Sequence, residues 1–479
     1  MTTFTPDPRR WWALAIIAIA QFMVIMDTSI IGVALPEIQR ALGISPANLS
    51  WVFNAYVVAF GGLLLLGGRL ADLYGARRVF IAGFVILTSA SLLTGLAPTE
   101  GILLAGRALQ GVGAALIAPA ALTLLMTLFA HDSRELTKAL ALYGAAAPAG
   151  GTAGVFLGGL LTSALDWRWV FLVNIPIGLL VLLASRSVLP AIGRRSGRLD
   201  LAGAVAVTAA LSLAVFGIVR APAVGWTSLE TIVSLLGAAV LLAAFVRIES
   251  TKPEPLMRLG IWRAPNLAAA NVAMALLGAA WIPAWFFLNL YLQQVLGFGP
   301  FEGGLALVPT TVAIMVLMVG VTGRIVGRFG FKLPLVAGLL LLAAGIGWLS
   351  FAPADGSYLA NVLPASLLAA VGMSLAYIPA MLAALSGARP EEAGLASGIV
   401  NTTYQVGSAL GLAVITAVAT AAGFGTGGDV AGFPAAFLGA AAVAIVAAGA
   451  VAVTLKAPGA AEPRVDVPAA RTSESRSGA

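Results

Sequence analysis

The chain has 479 residues, 60% of them apolar and 10% charged, with a net charge of +7 and a mean hydropathy of +0.99. A soluble domain is about 45–50% apolar and about 25% charged, so this composition excludes a string of soluble domains and calls for membrane spans. With no Cys, one His (His131), scattered basic residues and no Lys preceded by Gly, it argues against disulfides, a metal site, a cofactor, a nucleic-acid surface and a Walker A phosphate loop.

The opening T-F-T-P-D-P-R-R-W-W leads into an apolar run that is too long for a signal peptide. A retained first helix is therefore expected at 11–35. Windows of about 20 apolar residues then predict spans at 50–71, 79–97, 101–129, 138–162, 168–189 and 199–219. Further spans are expected at 226–246, 267–296, 303–323, 333–352, 358–386, 394–422 and 432–456. The total of fourteen puts both termini on one side. With that side cytoplasmic, 23 Lys/Arg fall inside, Arg40, Arg168 and Arg220 fall outside, and Arg107 lies within a span. This is the asymmetry of the positive-inside rule. Trp11, Trp12, Trp51, Trp167, Trp169 and Trp226 fall near the expected interfaces. Residues 457–479 are polar and are expected to be a disordered cytoplasmic tail.

An internal repeat organises these spans. G-R-L-A-D-L-Y-G-A-R-R at 68–78 recurs as G-R-I-V-G-R-F-G-F-K-L at 323–333, an offset of 255 residues. Each copy follows the second helix of a six-helix set. The expected fold is an all-α polytopic membrane protein. It has a six-helix half at 1–190, a two-helix insertion at 191–259 and a second six-helix half at 260–456. Parallel repeats of this kind belong to transporters whose path runs between the halves.

The unusual charges sit in the first half. Asp27 is the one carboxylate deep in a span, and Arg107 is the one cation clearly inside one. A charge at mid-membrane costs roughly 2.5–3.5 kcal/mol on insertion scales. Counted from their outer helix ends, both lie about 9–12 Å deep at 1.5 Å per residue. Asp27 and Arg107 therefore either form a structural salt bridge or make a protonatable carboxylate beside a permanent cation. Asn54, Tyr56, Gln21 and Gln110 are available as hydrogen-bonding neighbours.

Other motifs read physically as follows. Gly75 permits a tight turn in 68–78, and Asp72 can pair with Arg77 or accept from a helix N-terminus across the half interface. Gly150, Gly154 and Gly158 recur every four residues and invite a close helix, with Gly159 beside them. Trp281 and Trp285 share a helix face near Asn289, and Asn401 and Gln405 form a polar stripe. Together with Asn54, Tyr56 and Gln110 these are candidate substrate-cavity residues.

These motifs resemble those of the major facilitator superfamily, and within it the fourteen-helix drug:proton antiporters. M-D-T-S-I-I-G-V-A-L-P (26–36) looks like the first-helix signature of that family. The 68–78 segment resembles its loop motif, with Gly68, Asp72, Gly75, Arg77 and Arg78 matching. L-L-A-G-R-A-L-Q-G-V-G-A-A (103–115) resembles the fourth-helix motif, with Arg107 at the proton-linked Arg. G-G-T-A-G-V-F-L-G-G (150–159) resembles the fifth-helix antiporter motif. W-R-W-V-F-L-V-N-I-P-I-G (167–178), Y-L-Q-Q-V-L-G-F-G-P (291–300) and A-G-L-A-S-G-I-V-N-T-T-Y-Q-V-G (393–407) are similar to later motifs. Two departures stand out: Val155 replaces the Pro of the fifth-helix motif, and Leu73 and Ala76 stand where an extra basic residue is usual.

The resemblance implies proton coupling at Asp27 and Arg107, a cytoplasmic gate at 68–78 and a packing motif on helix five. The expected function is proton-coupled export of amphipathic small molecules across the cell membrane by a monomer, without enzymatic activity. Its partners are the substrate, protons and the bilayer. The alternative is a uniporter or importer of a defined nutrient, in which Asp27 and Arg107 are structural. An enzyme or receptor is disfavoured, because no nucleophile–base–orienter set appears and the loops are short.

Overall fold

A computed structural model of the chain describes residues 9–44, 51–129, 131–190, 200–252, 259–263, 266–353, 355–386, 393–424 and 432–456. The tail expected at 457–479 lies outside the described residues. Among those described, the regular structure is entirely helical. Apolar residues surround most helices instead of forming one stripe, the pattern of a span. In lipid, a helix also satisfies its own backbone polar groups.

Among the described residues, thirteen helices are long and apolar enough to cross a membrane. They are α1 (Arg10–Leu35), α2 (Trp51–Tyr74), α3 (Ala76–Gly95), α4 (Glu100–Phe129), α5 (Arg134–Ala164) and α6 (Trp169–Val188). A shorter apolar stretch lies within α7 (Leu201–Val224). The others are α8 (Leu229–Thr251), α9 (Leu267–Gln294), α10 (Phe301–Phe329), α11 (Lys332–Leu349), α12 (Tyr358–Ser386), α13 (Gly398–Ala421) and α14 (Gly432–Thr454). All fourteen expected spans are helices, and several run further than hydropathy predicts. The polar run after Asp132 joins α5 because the Asp132 carboxylate accepts from the Arg134 and Glu135 N–H groups. α10 passes through a π turn at Met318–Thr322 and continues to Phe329.

The repeated segment is mostly helix and not the loop expected from sequence. α2 runs to Tyr74 and α3 starts at Ala76, so Gly75 alone breaks them, with φ +91°. At the repeat position, Gly330 separates α10 from α11 with φ +68°. Both glycines occupy backbone that a side chain would strain.

Glycine contacts hold the helices together. A methyl added at Gly67 would lie 2.1 Å from the Ala115 carbonyl oxygen, where α2 crosses α4. One at Gly113 would lie 2.8 Å from the Gly83 oxygen, where α4 crosses α3. Among the last six helices, Gly407 meets Ala275 between α13 and α9, and Gly372 meets Leu342 between α12 and α11. These are backbone-to-backbone approaches open only to small residues.

Crossings also join the first six helices to the last six. Thr152 on α5 is hydrogen-bonded to Thr311 on α10. Phe156 stacks on Phe301 with ring centroids 4.8 Å apart. Nearer the Gly75 end, Gly398 on α13 packs against Leu64 and Gly68 of α2, and Gly144 on α5 receives the Tyr377 ring of α12.

α7 and α8 form a hairpin on this bundle. α7 packs against α2 and α13, with Trp51 and Phe216 rings 5.4 Å apart. α8 turns Leu229, Val233, Leu236 and Val240 outward on one exposed stripe, as a lipid-facing helix does. The two helices are tied at one end by Asp200. It caps α7 through the Gly203 N–H at 3.0 Å and accepts from the Lys252 ammonium after α8. Burial raises the Asp200 carboxyl, but the Gly203 N–H, Lys252 and the Ala202 N–H outweigh it and hold it below its usual value. A depressed carboxyl stabilises the fold above its unfolded pKa of about 3.9 and loses that contribution as pH falls through the lowered value. Asp200→Ala is therefore expected to lower the melting temperature at pH 7. The loss should correspond to about 0.5–2 kcal/mol for a lost cap. The gap to wild type narrows below pH 4, which a fluorescence melting series across pH would measure.

Candidate functional site

The Asp27 carboxylate and the Arg107 guanidinium, 80 residues apart in sequence, meet inside the first six helices. Both are 0% exposed. Arg107 Nη1 donates to Asp27 Oδ2 at 2.7 Å. Gln110, one turn further along α4, donates from Nε2 to Asp27 Oδ1 at 3.0 Å. Asn174 on α6 donates to the same Oδ1 from Nδ2. Three N–H donors thus surround the carboxylate, as an ionised acceptor needs.

The guanidinium is equally held. Its Nε donates to the Val52 carbonyl on α2 at 2.9 Å, and Nη1 also donates to Gln110 Oε1 at 2.9 Å. Its Cζ lies 4.7 Å from the Tyr56 ring centroid and 5.9 Å from that of Phe171. Cation–π contact at desolvated sites is worth roughly 2 kcal/mol. Ser91 on α3 accepts from Gln110 at 2.8 Å and from Asn174 at 3.4 Å. Two polar atoms in this shell have no hydrogen-bond partner: Arg107 Nη2 and Asn174 Oδ1. Five helices besides α1, counting α5 behind it, surround the carboxylate. The pair is neutral as a whole, and that makes its full burial tolerable.

The structure divides the expected cavity residues into groups. Tyr56 and Gln110 are both 0% exposed and belong to the shell of the ion pair. Asn54 is buried on α2 outside that network. Trp281 and Trp285 stack on α9 with centroids 5.4 Å apart. The Trp285 indole nitrogen approaches α5 at Gly151, where an added methyl would lie 3.9 Å away. Asn289 accepts from Gln293 at 3.0 Å, and Asn401 and Gln405 are half-buried on α13.

In the 68–78 segment, Gly68 is buried against Gly398, Asp72 and Arg77 are half-buried, and Arg78 is exposed. Arg77 donates to the Arg186 carbonyl at the end of α6. The glycines of α5 pack against α1 in register. Methyls at Gly150, Gly154 and Gly158 would meet the Phe22, Met26 and Ile30 carbonyl oxygens at 2.4, 2.8 and 2.7 Å. Gly159 is buried beside them. This seam sets the position of α1, and hence of Asp27. Gly150→Val is expected to force the two backbones apart and cost about 1–3 kcal/mol. A lower melting temperature and a reduced yield of monodisperse protein would report it.

Sequence reasoning missed Asn174 and Ser91. Their signal was the one that exposed Asp27: a polar side chain within an apolar run. The segment 167–178 carries a motif, but nothing local to its Asn states which helix it meets.

The sequence profile of the Major Facilitator Superfamily matches residues 17–412. The chain belongs to the Major Facilitator Superfamily. It is 42% identical over 421 residues to the cephamycin export protein CmcT of Amycolatopsis lactamdurans, covering 87% of this chain and 86% of that one. To the puromycin resistance protein pur8 of Streptomyces alboniger it is 40% identical over 422 residues, covering 87% and 83%. The tetracenomycin C resistance and export protein of Streptomyces glaucescens is 35% identical over 409 residues, with 85% and 75% covered. The crystal structure of the human organic anion transporter MFSD10 matches the fold with a TM-score of 0.68 at 15% identity. It covers 93% of this chain and 100% of that one. This is a multi-pass membrane protein of that superfamily.

Proposed function

We propose that this protein exports amphipathic small molecules in exchange for protons, with Asp27 as the proton acceptor and Arg107 as its fixed counter-charge. The observation that carries the reading is the fully buried Asp27–Arg107 pair, in a chain whose similar relatives include antibiotic export and resistance proteins. Arg stays protonated, so Asp27 is the member of the pair that titrates. Protonation turns a neutral site into one with a net positive charge, and this biases two arrangements of the six-helix halves.

In this reading the Gly75 end faces the cytoplasm, in keeping with the placement of 23 Lys/Arg on that side. The α2–α13 crossing at Gly68 and Gly398 closes that end, with the Gly68, Asp72, Gly75, Arg77 and Arg78 segment as its gate. Cargo runs between the halves past Trp285, Asn289, Asn401 and Gln405. A path poor in charge suits apolar or weakly cationic compounds. The proton site is complete within one chain, which supports a monomer as the working unit.

Expression in an efflux-deficient bacterium tests this. Raised resistance to ethidium or puromycin that a protonophore removes is the expected result. Substrate movement indifferent to the proton gradient would instead favour a uniporter with Asp27 and Arg107 as structure.

A further inference from the structure

Asn174 donates to Asp27 and, unlike Gln110, keeps its acceptor oxygen free. The donors to the carboxylate are Arg107 Nη1, Gln110 Nε2 and Asn174 Nδ2. A carboxylate needs only donors, but a carboxylic acid also carries an O–H that needs an acceptor. The acceptors near Asp27 are mostly in use. Gln110 Oε1 is held by Arg107, and Ser91 Oγ already accepts from two amides. The Asn174 carbonyl oxygen is 0% exposed with its residue and has no partner. It sits on the same planar group that now donates to Asp27 Oδ1.

We infer that Asn174 is a positioning residue for the proton, its amide rotating by half a turn when Asp27 is protonated. In the ionised state Nδ2 donates to Oδ1, as seen. When a proton from water binds Oδ1, the new O–H donates to Asn174 Oδ1, and Nδ2 turns to the place the oxygen held. No covalent bond other than the O–H forms. The rotation exchanges two groups of nearly equal size, so packing does not oppose it. It does break the 3.4 Å contact from Nδ2 to Ser91. The proton state of α1 is thereby passed to α6 and α3, which carry Asn174 and Ser91. The titratable and charged groups facing Asp27 are Arg107 from α4 and Tyr56 from α2. The facing residues from α3 and α6, Ser91, Asn174 and Phe171, are uncharged, as are Gly150 and Gly154 on α5.

The inference rests on Asp27 as the proton site, and infrared difference spectra separate the two claims without a substrate. Purified full-length protein is cycled between low and high pH. The expected spectrum pairs one component of the protonated-carboxyl C=O region, lost in Asp27→Asn, with a shifted side-chain amide C=O band, lost in Asn174→Leu. Asn174→Ser, whose hydroxyl both donates and accepts, should keep the carboxyl band and lose the amide band. It also serves if the Leu variant does not fold. A wild-type spectrum with the Asp27 carboxyl band but no amide change overturns the role of Asn174 alone. So does an amide band that persists in Asn174→Ser. The other acids of the chain also give carboxyl bands, so a carboxyl region identical in wild type and Asp27→Asn, with no component lost, overturns the proton-site reading itself.

Discussion

Asp27→Asn is expected to remain folded and to lose all transport driven by a pH gradient. A pH difference of one unit supplies about 1.4 kcal/mol per proton moved, enough for a tenfold substrate gradient in one-for-one exchange. Wild-type protein in liposomes should therefore accumulate ethidium about tenfold per pH unit if one proton is exchanged, and the variant should not accumulate it at all. The variant folds with a melting temperature below wild type, because the Arg107 cation loses its counter-charge but keeps the Val52 carbonyl, the Gln110 oxygen and the Tyr56 ring. The new amide also finds a complement, since its N–H2 can donate to the unpartnered Asn174 oxygen. Asparagine mimics the size of the protonated acid but releases no proton, so the two conformations no longer differ in proton affinity. Exchange of labelled for unlabelled ethidium at equal pH needs no net proton movement and should persist. Full gradient-driven accumulation by Asp27→Asn would mean that the proton binds elsewhere.

The sequence was legible where one physical effect dominates. Fourteen apolar windows became helices because a lipid-exposed backbone has few alternatives. The depth count put Asp27 and Arg107 at one level, and they meet at 2.7 Å. Helix ends were less legible. The extensions of α2, α5 and α10 are set by single residues, such as the Asp132 cap and the Gly75 and Gly330 breaks, which a hydropathy window averages away. The partners of the ion pair were half legible. Gln110 lies one helical turn from Arg107 and could be named in advance. Asn174 is 147 residues from Asp27, and no local pattern states which helices α6 will touch. Tyr56 could be named from sequence both as a neighbour of the pair and as a cavity residue, because one helix position does not state which side it faces. In the structure its ring lies under the Arg107 guanidinium.

Arg107→Ala should be the more damaging change, and pairing it with Asp27→Asn should undo much of the damage to folding. Removing the guanidinium leaves an ionised carboxylate at 0% exposure with two neutral amides and no cation. Breaking a buried pair in this way costs about 3–5 kcal/mol, chiefly from the stranded charge. It also empties the space against Tyr56 and frees the Val52 carbonyl and Gln110 Oε1. Arg107→Lys should recover little, because one ammonium cannot replace the bonds made separately by Nε and Nη1. In the double variant Asp27→Asn with Arg107→Gln, the site holds only neutral amides able to pair with one another. Its melting temperature should therefore rise back toward wild type while gradient-driven transport stays absent. That split distinguishes the two roles of the pair, since stability depends on leaving no charge stranded and coupling on having a carboxylate to protonate. If Arg107→Ala alone melts and transports like wild type, the buried pair contributes to neither.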